Sequence, residues 1–193
     1  MIAWKLIPVL LGAYVAASLN FAILLFRMAG RKDPRFSFSG NPGTMNVYRQ
    51  AGLFWGGLVL VLDAGRAVLI TWIGLMTLPV GYLPLVACAL VLGNRFPCIH
   101  KFKGGKGVAN LLGFSVLIAP VAAGVSALAW VVVYKIRKVS YVASFVMIAI
   151  LAAGIMASCR WQPVSIIGTI LAVGLIIHGH KSNMLAQRAK RET

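Results

Sequence analysis

The stretch VANLLGFSVLIAPVAAGVSALAWVVVY, Val108 to Tyr134, decides the fold. It is largely apolar and carries one proline, Pro120, near its middle. As a single tilted helix it would leave Lys135, Arg137 and Lys138 on the opposite side of a membrane from Lys101, Lys103 and Lys106. Broken at Ala119-Pro120 into two short helices, it returns both clusters to one side. Proline removes a helix hydrogen bond and clashes with the preceding turn, so the break is physically available. Basic residues hold loops on the cytoplasmic side, and misplacing three of them outweighs shortening two helices. The sequence therefore predicts a helical hairpin here.

The other apolar runs fall into place around it. The first covers about Leu6 to Phe26, with only Lys5 before it and Arg27, Arg31, Lys32 and Arg35 after it. That order is the reverse of a cleaved signal peptide and puts the N-terminus outside. A second span runs from about Leu53 to Leu78, followed by an uncharged outer turn at Pro79-Val80-Gly81-Tyr82. A third, about Leu83 to Leu92, extends toward Phe96; Ser140 to Ser158 and Val164 to Ile177 complete the set. The runs are solidly apolar rather than alternating, so helices are expected rather than a barrel. The expectation is an all-α, polytopic membrane protein of seven transmembrane helices, N-terminus outside and C-terminus cytoplasmic. Residues 1–193 form a single integral-membrane domain with short loops.

Composition narrows the chemistry. A chain of 193 residues that is 60% hydrophobic with a net charge of +16 is neither a soluble domain nor a disordered tail. The positive balance is read as topology and attraction to an anionic lipid bilayer, with no nucleic acid as partner. Asp33, Asp63 and Glu192 are the only acidic residues, too few for paired-carboxylate catalysis or a carboxylate-held magnesium. Cys88, Cys98 and Cys159 are scattered and are not expected to pair. Cys98, near His100, is a weak candidate for an acyl-accepting nucleophile. Neither a metal nor any other cofactor is expected.

Four cationic loops share the cytoplasmic face. In the first, Ser39-Gly40-Asn41-Pro42-Gly43-Thr44-Met45-Asn46-Val47-Tyr48-Arg49, the glycines free the backbone and Asn41-Pro42 starts a turn. Such a loop can aim several N–H groups at one anion, with Ser39, Thr44 and Asn46 as neutral donors and Arg49 as a planar fork. A surface turn with a snorkelling arginine would look the same. The second, Lys103-Gly104-Gly105-Lys106-Gly107, has the same logic with point charges and is not a Walker A loop, since Gly107 stands where Ser or Thr would hold magnesium. The third, Lys135 to Ser140, brings more charge. The fourth, His178-Gly179-His180-Lys181-Ser182-Asn183, sets His180 and Asn183 on one face if the helix continues. Asp63 and Arg66, three apart in an apolar span, are expected to pair with each other, either as a purely structural pair or in contact with substrate. Each charge-assisted bond to phosphate is worth roughly 1.5–3 kcal/mol, so several suffice without metal.

Together these loops resemble the bacterial PlsY family of acyl-phosphate:glycerol-3-phosphate acyltransferases. The resemblance rests on Ser39 to Thr44, Asn46-Val47, Phe96-Pro97, Phe102 to Ala109 and His180 to Asn183, and covers nearly the whole chain. It implies a seven-helix fold with cytoplasmic motifs in the bacterial inner membrane. It also implies transfer of a fatty acyl group from acyl phosphate to the sn-1 hydroxyl of glycerol-3-phosphate, with neither coenzyme A nor acyl carrier protein as direct donor. By matching position, Ser39, Arg49, Lys106, His180 and Asn183 are the expected catalytic set. Gly40, Asn41, Gly43, Thr44 and Asn46, together with Lys103, Gly104, Gly105, Ser140 and Ser144, are the expected substrate and phosphate contacts. The chain departs from the family at Asn94, usually histidine, at Arg66, usually lysine, and at Ala143, usually serine. A monomer is the simplest expectation. An anion transporter, or a divergent acyltransferase with another acceptor, is the alternative.

Overall fold

The computed structural model describes residues 2–192, with side chains described as far as Gln187. Ten α-helices occur among them: α1 Ala3–Ser18, α2 Phe21–Met28, α3 Thr44–Ala51, α4 Leu53–Thr77, α5 Leu83–Arg95, α6 Val108–Ile118, α7 Pro120–Arg137, α8 Ser140–Ser158, α9 Pro163–Gly179 and α10 Lys181–Glu192. Five segments are long and apolar enough to cross a membrane, and a sixth is added if α9 and α10, bent by 43°, count as one. The shorter apolar helix α6 lies between the third of these segments, Val80–His100, and α7.

The disputed stretch is two helices. α6 stops at Ile118, Ala119 turns out of the helix at φ −143° and ψ 64°, and Pro120 opens α7 at a first-turn position where it has no N–H to waste. α7 then runs back against α8. α5 is the most buried span and packs chiefly on α9 and α1, while α4 packs on α6. The core between them is filled by Leu83, Leu90, Leu111, Phe114, Leu151, Ile155 and Ile176, all fully buried.

Two expectations about the elements need correction. The first apolar run is not one helix: it breaks at Leu19, whose backbone is extended, and restarts after Asn20. Asn20 is fully buried; its Oδ1 accepts the Ile23 N–H at 3.1 Å as an N-cap, and its Nδ2 donates to the Pro42 carbonyl at 3.1 Å. Capping chemistry inside an apolar run was the readable signal. The segment expected to be the first cytoplasmic loop is likewise not all loop, because Gly43 begins α3 and places Arg49 on a helix.

The carbonyl of Leu19 left free by the break accepts a hydrogen bond from Arg66 on α4. Arg66 also donates through Nη2 to Asp63 Oδ1 at 2.9 Å and to Asn110 Oδ1 on α6 at 2.8 Å. The expected Asp63–Arg66 pair thus joins the α1–α2 break to α4 and α6. With both side chains at most 7% exposed, losing one partner leaves an uncompensated buried charge. Arg66→Met should destabilise the detergent-solubilised protein by about 3–5 kcal/mol, and Asp63→Leu/Arg66→Met should recover much of that loss. Equal unfolding midpoints for the single and double variants would show that the pair carries no such penalty.

Candidate active site

α5 ends at Arg95, and the carbonyls of its last turn need donors from elsewhere. The glycine segment supplies them: Gly105 N–H donates to the Asn94 carbonyl at 2.9 Å and Gly104 N–H to that of Arg95 at 3.2 Å. A Cβ on Gly104 would run into the Asn94 carbonyl and the Pro97 ring, and one on Gly105 would meet Asn94 Oδ1 at 2.5 Å. Gly107, at φ +84°, then turns the chain into α6. Lys106 is fixed between these constraints.

The first loop is held by its own side chains. Asn46 Nδ2 donates to the carbonyls of Pro34 at 2.8 Å and Ser37 at 3.2 Å, and its Oδ1 accepts the Ser39 N–H at 3.2 Å. Its carboxamide is therefore spent on shaping the loop, which corrects the expectation of a free donor to phosphate. Arg35, paired with Asp33, donates from Nη1 to the carbonyls of His100 and Lys103, each at 3.1 Å, and so ties the first loop to the second.

These supports bring distant segments around one cavity of about 310 Å³. Ser39, Arg49, Lys106, His180 and Asn183, the five residues expected to act, all line it. So do Asn41, Gly43, Thr44 and Asn46 of the first loop, Gly105 of the second, and Ser140 and Ser144 on α8. Gly40, Lys103 and Gly104 do not: Gly40 shapes the turn at φ +65°, Lys103 gives its carbonyl to Arg35, and Gly104 is buried under the end of α5. Cys98 is exposed outside the cavity, and all three cysteines are free.

Sequence reasoning passed over Asn110 as a polar member of the wall, marked Asn94 only as a departure from the family, and left Asp63 between a structural pair and a substrate contact; all three line the cavity. It also missed the apolar arm, formed by Leu60 on α4, Leu112 on α6, Ala127, Trp130 and Val131 on α7, and Met147 on α8. Trp130 is held by its Nε1 donating to Ser144 Oγ at 3.2 Å and by stacking on Tyr134. The run of apolar residues gave no signal that one face of α7 borders a cavity.

At the polar end, Lys106 Nζ donates to Asn183 Oδ1 at 2.9 Å, and Arg49 Nη2 reaches Ser140 Oγ at 3.4 Å. His180 stands at the elbow between α9 and α10, with the Asn183 N–H on its carbonyl at 3.0 Å, so the two share the cavity despite the bend. The His180 ring donates from Nδ1 to the Ile176 carbonyl at 2.9 Å, leaving Nε2 as an acceptor. Burial, with the Lys106 charge beside it, lowers the His180 pKa to about 4, so the ring is neutral at neutral pH. Burial, then the nearby charges of Arg49 and Arg95, lowers Lys106 to about 8. The wall thus presents cationic donors at one end and hydrocarbon at the other, as an amphiphile carrying a phosphate requires.

A family model described as "Glycerol-3-phosphate acyltransferase" matches residues 7–190. Curated proteins called glycerol-3-phosphate acyltransferase are similar over most of their length. The one from Methylobacillus flagellatus is 37% identical over 179 residues, covering 90% of this chain and 89% of that protein. The one from Pseudomonas aeruginosa PAO1 is 36% identical over 185 residues, covering 93% and 94%. Crystal structures of PlsY (YgiH), an integral membrane glycerol 3-phosphate acyltransferase, superpose over 96% of this chain and 93% of theirs. The glycerol 3-phosphate form has a TM-score of 0.88 at 27% identity, and the lysophosphatidic acid form 0.85 at 26%. The fold and cavity define an all-helical membrane protein with a cationic site at one end of its bundle. The chain belongs to the glycerol-3-phosphate acyltransferase family.

The depressed Lys106 value makes a signed prediction. Its charge is complete below about pH 8 and is lost as pH rises through that value. Affinity for a phosphate monoester, read by titration calorimetry, should therefore fall by up to about tenfold per pH unit above the break. Lys106→Arg, which stays charged, should move that fall to higher pH. A flat profile in the native protein would exclude Lys106 as the phosphate's partner.

Proposed function

We propose that this chain is a membrane enzyme of phospholipid synthesis that moves a fatty acyl group from acyl phosphate to the sn-1 hydroxyl of glycerol-3-phosphate. The products are lysophosphatidate and inorganic phosphate. What supports this reading is a single cavity in which cationic loop groups and a lipid-like apolar arm meet. The cations suit two phosphate-bearing reactants, and the arm suits the acyl chain. The proposed topology has seven crossings, with N-terminus outside and C-terminus cytoplasmic. It leaves only Lys5 and Arg160 outside and Arg66 within a span, putting the other basic residues and the cavity mouth on the cytoplasmic side. The proposed unit is a monomer in the bacterial inner membrane, one integral-membrane domain over residues 1–193, working without a metal or other cofactor.

In the proposed reaction the sn-1 oxygen attacks the carbonyl carbon of the acyl phosphate. A carbon–oxygen ester bond forms, the bond from that carbon to the bridging phosphate oxygen breaks, and phosphate leaves with the electron pair. A phosphate oxygen takes the hydroxyl proton, because His180 is too weak a base to hold it at neutral pH. Arg49 and Lys106 hold the phosphates and offset charge growing on the leaving group, with Ser140 and Asn183 fixing the positions of those two side chains and Ser39 contributing a hydroxyl from the cavity wall. The mixed anhydride is already activated, so orientation, worth up to about 7–11 kcal/mol, carries most of the acceleration.

Purified protein given radiolabelled acyl phosphate and glycerol-3-phosphate should form lysophosphatidate, whereas acyl coenzyme A should not replace the donor. Lys106→Ala or Arg49→Ala should lower kcat/KM by at least about a hundredfold. No transfer by the native protein, or native rates in both variants, would overturn the assignment. The topology is checked separately through Cys98, which is exposed. A membrane-impermeant maleimide should label it in inverted vesicles and not in intact spheroplasts.

A further inference from the structure

Asn94 is 2% exposed and lines the cavity beside Gly105 and Lys106. Its main-chain carbonyl is taken by Gly105 N–H, but among the described residues its carboxamide makes no hydrogen bond. Nor is that carboxamide sealed off. The side-chain nitrogens enclosed without a partner are Arg66 Nε, Arg95 Nε and Asn110 Nδ2, so the Asn94 amide opens onto the cavity. Of the other carboxamides at the polar end, Asn46 is engaged with its loop, Asn110 Oδ1 with Arg66 and Asn183 Oδ1 with Lys106. Half-buried Asn41 on the first loop is also unpaired among the described residues but does not stand beside Gly105 and Lys106 as the buried Asn94 does. Buried polar groups rarely stay unpaired, so a free donor and acceptor aimed into a cavity is a place for a ligand group.

The chemistry of that group follows from what a carboxamide offers. A phosphate dianion only accepts hydrogen bonds, and Arg49 and Lys106 already supply donors for it. A hydroxyl both donates and accepts, which matches an amide N–H and C=O presented together. The reacting hydroxyl must give up its proton, which an amide cannot take. A hydroxyl that survives the reaction is the better fit. In glycerol-3-phosphate that group sits on the carbon next to the phosphate-bearing one, and Asn94 stands beside Gly105 and the cavity-lining Lys106, the proposed phosphate partner. Resting on the acyl-transfer reading above, we propose that Asn94 is the residue that recognises the secondary hydroxyl of the acceptor and so selects a phosphorylated triol over a simpler alcohol phosphate.

Two acceptors decide it: sn-glycerol-3-phosphate and 3-hydroxypropyl phosphate, which lacks only the secondary hydroxyl. The native enzyme should prefer the former in kcat/KM by about tenfold to a hundredfold, the usual penalty for leaving a site amide unpaired. Asn94→Ala, and Asn94→Leu as a variant of nearly native volume, should compress that preference to about twofold. The loss should fall on glycerol-3-phosphate while the rate with the analogue barely changes. Because each comparison is a ratio within one protein, a lower folded fraction cancels. Retention of the native preference in either folded variant, or equal slowing with both acceptors, overturns the role of Asn94. Calorimetric binding of the same two compounds reads the same preference without turnover. A native protein that binds them selectively but transfers no acyl group would therefore defeat the acyl-transfer reading while leaving the Asn94 contact standing.

Discussion

The cavity depends on how the carbonyl-rich end of α5 is satisfied. A helix end buried in a bundle cannot turn to water, and here the N–H groups of Gly104 and Gly105 fill that need. Only residues without a Cβ can come so close, since any side chain would strike Asn94 or Pro97. The same contact that completes a helix end therefore delivers Lys106 to a fixed point. α5 is itself locked between α1 and α9, with Tyr14 Oη on the Phe96 carbonyl at 2.8 Å, so the point is fixed relative to the whole bundle.

A second set of contacts holds the opposing wall. Asn20 caps α2 and holds Pro42, Asn46 shapes the turn around Ser39, and Arg35 joins that turn to the second loop. Beneath them the Asp63–Arg66–Asn110 cluster uses the α1–α2 break as a hydrogen-bond acceptor. Polar residues in the spans thus serve as braces for loops that gather like charge. Burial first, and then the like charges of Arg49 and Arg95, lowers the affinity of Lys106 for its proton, and a phosphate between the cations would relieve the repulsion.

Much of this was legible in the chain. Pro120 after Ala119, with basic clusters on either side of the run, carried the break between α6 and α7, because a missing N–H and three cations are local and additive facts. The glycines at 104, 105 and 107 and the motif from Ser39 to Arg49 marked the cavity only in combination, because either loop alone reads equally well as a plain membrane turn. The kink at Leu19-Asn20 was present as a capping residue in an apolar run, but hydropathy averages over it. The commitment of Asn46 to its own loop could not be read, since a carboxamide serves a ligand or a backbone equally well until its partners are known.

The sequence alone determined an all-helical membrane chain, its apolar segments, the family it resembles and the residue types available to hold phosphate, since all of these are properties of local composition and order. Only the tertiary structure decided which side chains share a wall. It put Asn94, Asp63 and the apolar face of α7 around one cavity and set Lys103 and Gly104 outside it. It also left Asn94 free while Asn46 was used up. The physical reason is that a hydrogen-bonding group acquires its role from what lies within about 3 Å, and those neighbours come from segments far apart along the chain.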